Sequence, residues 1–232
     1  TFVELGGTLT PAPNVTPWEV RSGSAVTNLD ATIKKGKTTV DLHTNNDNPI
    51  EVLTIRPKVK KAFLGAPNIT PQIDYHGAID VAKFSNGEAP LTLDVKDESG
   101  AKIGKLETTV SVEAFRSVLN HRTGGGNAAA VYAKSAGHAF YGGVGRTPSS
   151  ISEVIRCGEI TDAHEHYDTQ DGRRFPPVEA TFSSDSFIIT YSGVYVSYIA
   201  HDQVIKITLD KAVDGDTPIK WKASLPVTVT YS

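Results

Sequence analysis

The residue types best suited to chemistry lie together in one short segment, TDAHEHYD. There Asp162, His164, His166 and Asp168 recur at every second position. On an extended strand all four would project from one face, close enough together to hold zinc or another divalent ion. On an irregular loop the same residues would be exposed polar surface, with histidines near carboxylates able to respond to pH near neutrality. No metal is assigned, because nothing in the flanking residues supplies the outer partners that orient metal-bound imidazoles. Other reactive patterns are thinner. Asp97/Glu98 and Asp214/Asp216 fall in turn sequences, where carboxylates accept local backbone N–H groups. GGGNAAAVYAKS lacks the GxxxxGK[ST] spacing of a phosphate loop, and neither GxSxG nor HExxH occurs. The single cysteine, Cys157, has no partner for an internal disulfide and reads as a small apolar filler. The chain is read as a non-enzyme with no cofactor.

Composition narrows the classes further. The 232 residues are 39% apolar and 21% charged with a net charge of -3, which fits a globular chain and gives no nucleic-acid footprint. No apolar run approaches the roughly 20 residues of a membrane helix. The first residue is Thr1 and methionine is absent, so removal of a secretory signal is expected.

The elements that must position any site are strands. Val3, Leu5, Gly7 and Leu9 share one face of an extended segment at the start, and Leu225, Val227, Val229 and Tyr231 share one at the end. Between them, Ala31–Ile33 and Thr38–Leu42 flank KKGK, and Leu91–Val95 and Lys102–Val112 flank DESGA. Ile50–Ile55, Phe187–Ile199 and Gln203–Leu209 complete a pattern of short strands divided by turns. The fold class predicted is an all-β sandwich. From about 112 to 180 the alternation fades into an Ala/Gly/Ser-rich insertion. Helical pieces are predicted there at Asn127–Gly137 and Ser149–Arg156, the latter with Ser150 capping and Glu153 three residues on.

Several segments in order, PQIDYHGA (71–78), DESGAKIGKLETTVSV, AGHAFYGG (136–143) and TLDKAV...IKWKASLPVTVTYS, resemble FaeG-like fimbrial subunits of enterobacterial chaperone-usher pili. The likeness runs through most of the chain and is weakest over 145–180. It implies an immunoglobulin-like sandwich lacking its last strand, completed by a donor strand. Residues 1–10 would be that donor, 11–17 a Pro-rich break and 18–232 the pilin domain. Val3, Leu5 and Leu9 would be inserted side chains, with Gly7 at a shallow position. Leu225, Val227, Val229 and Tyr231 would form the acceptor wall and chaperone contact.

The resemblance also implies partners: neighbouring copies of the chain, a periplasmic chaperone and an outer-membrane usher, with export through the periplasm to the bacterial surface. Adhesion to host glycans is implied for the insertion, where Tyr132, His138, Phe140, Tyr141 and Arg146 are the candidates; Phe140 and Tyr141 could equally pack the insertion onto the core. A different class stands beside this reading, a monomeric secreted sugar-binding or receptor-type sandwich whose first strand stays in its own sheet. The Asn14 and Asn68 sequons would matter only there. Leu225–Val229 lacks the glycine of a sortase signal, since Val229 occupies that position.

Overall fold

The computed structural model describes residues 3–9, 15–24, 26, 29–44, 48–156, 159–160 and 162–232. In chain order the strands are β1 (Trp18–Ser22), β2 (Thr39–His43), β3 (Ile50–Pro57), β4 (Phe63–Leu64), β5 (Pro71–Asp74) and β6 (Glu88–Lys96). They continue as β7 (Lys102–Asn120), β8 (Gly126–Ala130), β9 (Arg173–Arg174), β10 (Ile189–Ile199), β11 (Val204–Leu209) and β12 (Thr228–Tyr231). The larger sheet follows the path β1-β3-β10-β7-β11-β2, and β12 pairs with β5 as a separate two-stranded sheet. Every strand pair is antiparallel except β8 with β9.

β7 organises the molecule. One edge carries β6 along its first half and β8 along its second; the other carries β11 and then β10. Val110, Val112 and Ala114 on its inner face join the main core, which is built around Trp18, Phe140, Phe182 and Tyr195. The aromatic rings meet mostly edge to face, with Trp18 and Phe182 centroids 5.0 Å apart and Phe140 and Tyr195 5.4 Å apart. A smaller core joins Leu29, Leu42, Val95, Leu106, Ile205 and Ile207.

The insertion differs from its expected form. Alternation fades after Val112 because β7 and β10 are buried on both faces, so apolar residues occupy odd and even positions alike. β7 itself runs on to Asn120. Residues 151–156, 159–160 and 162–168 lie across the outer face, packing Ile151, Ile155 and Tyr167 on Phe115 and Val194, and Ile160 and Ala163 on Val196 and Tyr198. Asn127–Gly137 is strand β8 followed by loop. Ser149–Arg156 holds one 3-10 turn, Pro148–Ser150, capped at Thr147 rather than at Ser150. Among the described residues the only other helical turn is Val81–Lys83, also 3-10. Ala31–Ile33 is not a strand; β2 takes β11 as its partner instead. Cys157 lies outside the described residues.

Candidate functional site

The last eleven residues before Ser232 form the most unusual surface of the molecule. From Trp221 to Tyr231 every odd position is half-buried and every even position exposed. Leu225, Val227, Val229 and Tyr231 rest on the main core, while Trp221 and Ala223 rest on the smaller one. At about 3.3 Å per residue this apolar row is roughly 33 Å long.

Its hydrogen bonding is one-sided. Ser232 exchanges both backbone bonds with Thr70, at 2.9 and 3.0 Å, and Lys222 exchanges both with Lys96, at 2.9 Å each. In an antiparallel ladder such bonds belong to alternate residues, so those of the even positions point to β5 and β6. The N–H and C=O groups of Val229 and Tyr231 point to the opposite edge, where no strand lies among the described residues. Pro226 has no N–H, and a gap of about 710 Å³ opens beside Ser224–Pro226, bordered by Tyr75, Thr92 and Leu93.

β1 provides a second open edge, since among the described residues it pairs with β3 alone. Trp18 is buried and its indole N–H donates to Ile69 O at 2.6 Å. Because Thr70 is the residue that pairs with Ser232, β1 and the chain end are tied together there. Val20 lies on the same strand face as Trp18 yet is 45% exposed, so that inner face loses its cover within one repeat.

Residues 3–9 are in no ladder among the described residues. Val3, Leu5 and Leu9 are 87, 94 and 98% exposed, and nothing lies within 4 Å of where a Cβ on Gly7 would be. Within this chain residues 3–9 are therefore not the first strand of their own sheet. Thr10–Asn14 lie outside the described residues.

The five aromatic and basic candidates of the insertion are separated. Phe140 is fully buried between Trp18, Phe182 and Tyr195, so its ring is closed to a ligand. Its backbone has φ 62, and beyond Tyr141 two glycines make close approaches: a Cβ on Gly142 would lie 1.9 Å from Ile73 O, and one on Gly143 2.8 Å from Tyr195 Oη. Tyr132 is half-buried, and His138 is half-buried with its Nδ1 3.2 Å from Ser135 O and 3.7 Å from Glu179. Only Tyr141 and Arg146 come together, along a cleft of about 900 Å³ that also exposes Gln72, Asp74, Asp80 and Lys83.

The four residues of the 162–168 segment diverge instead of converging, because the segment is a series of turns. Asp162 receives two hydrogen bonds from Arg21, at 2.7 and 2.8 Å, and its carboxyl is held below the usual range first by that bonding. His166 places Nδ1 2.6 Å from Pro57 O, and Asp168 bonds through its backbone to Ser117 and Ser192. His164 Nε2 lies 3.5 Å from Glu113, a carboxylate 2% exposed on β7. Burial pushes the Glu113 carboxyl up, but His164, the Tyr198 hydroxyl at 2.6 Å and the Arg156 N–H at 2.7 Å outweigh it and hold it low. Among the described residues no metal-binding cluster forms. The roles of Arg21 and Glu113 were not legible in the sequence, apart from one signal: Glu113 is a lone carboxylate inside the apolar run of β7.

An all-β sandwich with an apolar, one-sided final strand and a detached apolar first segment defines the structural class. The family described as "Fimbrial, major and minor subunit" matches residues 2–232, and the chain belongs to it. It is thus a structural subunit of a cell-surface pilus. No curated protein matches the chain. Among the described residues no helix is long and apolar enough to cross a membrane.

Proposed function

We propose that this subunit polymerises by donor-strand exchange, with Val3, Leu5 and Leu9 of one copy covering the β12 row of the next. The observation that carries the reading is the pairing of deficits in one chain. Among the described residues, 3–9 have exposed apolar side chains and no sheet, while β12 has an apolar row and no second neighbouring strand. Strand addition would satisfy both, through main-chain bonds along the free edge and alternate side chains against the row. Burying three aliphatic side chains contributes roughly 1.5 to 3 kcal/mol each. Before assembly the same edge would be covered by a periplasmic chaperone on the way to an outer-membrane usher. Adhesion to host glycans is carried forward only at Tyr141 and Arg146, whose cleft combines a ring face with charged and amide groups.

The test compares the intact chain with one lacking residues 1–10, by size exclusion and unheated gel electrophoresis. Ladders from the intact chain and none from the truncated one support the reading. Folded monomers from both would replace it with a monomeric secreted binding module.

A further inference from the structure

A row of strand ends meets at the pole where β4 joins β10. Leu64 pairs with Thr190, Thr190 with Leu119 and Leu119 with Gly126, and Asn127 carries the row to Arg173. Five strands at about 4.8 Å spacing make a strip roughly 20 Å wide. The segments ending there (58–64, 119–127, 170–176 and 183–190) carry Lys58, Lys60, Lys61, Arg122, Arg173 and Arg174 against only Asp171 and Asp185. All six cations are exposed. Among the described residues none of them is in an ion pair, and the one side-chain bond is from Arg174 to Glu153 O at 3.0 Å.

A local excess of positive charge on a chain of net charge -3 is not a by-product of composition. Phe187, 83% exposed, stands beside it, fixed by the bond from His121 N–H to Ile188 O at 2.8 Å. Cations spaced along a line, rather than gathered round one point, match a partner that repeats its charge along a chain, and an exposed ring suits the C–H face of a sugar. We propose that this strip docks a linear sulfated polysaccharide, at a place separate from both β12 and the Tyr141/Arg146 cleft.

Heparin is the probe, with the full-length chain passed over immobilised heparin at increasing salt. K58E/K60E/K61E and R122E/R173E should each weaken binding by about tenfold or more. The control K34E/K35E/K37E carries the same charge change as the first variant but sits by β2, at the other end of the sheet, and should stay within about twofold of the unaltered chain. Added salt should release the unaltered chain. Equal losses in all three variants, or no binding by the unaltered chain, would overturn the proposal. So would preference for vesicles of phosphatidylserine and phosphatidylcholine over heparin, lost in the same strip variants, because the partner would then be a lipid surface. Circular dichroism confirms that each variant folds.

Discussion

The outer face of β7 and β10 and the row along β12 present the same chemical problem and meet opposite ends. Both are apolar stripes on strands. Over β10 the chain supplies its own cover, so Val194, Val196 and Tyr198 are at most 1% exposed. Along β12 it does not, and Val227, Val229 and Tyr231 stay half-exposed. Covering the first face cost the chain a buried carboxylate with three partners and a charged clasp from Arg21 to Asp162. An uncovered apolar edge is what a chain free of partners avoids, since it invites strand pairing. Under the proposed strand exchange, the difference separates what folding completes from what assembly would complete.

One substitution applied to both regions gives the sharpest contrast. Val196→Arg would bury an unpaired charge under the insertion and should cost about 4 kcal/mol or more, read as loss of cooperative melting. Val229→Arg should change the melting free energy of the isolated subunit by less than about 1 kcal/mol yet stop ladder formation. Equal destabilisation by the two would erase the distinction. On the donor side, Leu5→Arg should abolish ladders and leave the melting temperature unmoved, as its side chain is 94% exposed.

Smaller effects test how the insertion is held. Glu113 is held below the usual carboxyl range, so its stabilising contribution is present above the unfolded value, about 4.3, and is lost as pH falls through the folded one. Urea midpoints measured from pH 6 to pH 3 should fall less steeply in Glu113→Gln than in the unaltered chain; parallel curves would show that Glu113 is not the titrating group. The smallest change is expected for Arg21→Ala. Its pairing with Asp162 is partly exposed and worth about 1 kcal/mol or less, so the readout is faster proteolysis within 159–168 at little change in melting.

Period-2 patterning made the C-terminal strand readable, because it has one face for apolar residues and one for polar. β11 was legible for the same reason. The middle was misread because a strand buried on both faces has no alternation left, and Ala-rich β8 looks helical when its neighbours are unknown. Val3, Leu5, Leu9, Val227 and Val229 could be singled out from local pattern. Val20 could not, since only tertiary structure shows that a residue in phase with Trp18 lacks cover, and the Arg21–Asp162 pair spans 141 positions. The separation of Phe140 from Tyr141 was equally hidden: a left-handed backbone turn sends neighbouring rings in different directions.

Trp18 and the β1–β3 ladder also bear on mechanics. In a fibre joined through residues 3–9 as proposed, tension would enter each subunit at Pro17 and run along β1, whose five residues from Trp18 to Ser22 are in register with Pro57 to Leu53. Load applied along a strand strains all its ladder bonds together instead of opening them one by one, and the indole bond to Ile69 adds a lateral anchor at the loaded end. Under the proposed strand exchange, the subunit would meet pulling in shear at the strand that follows its own tether.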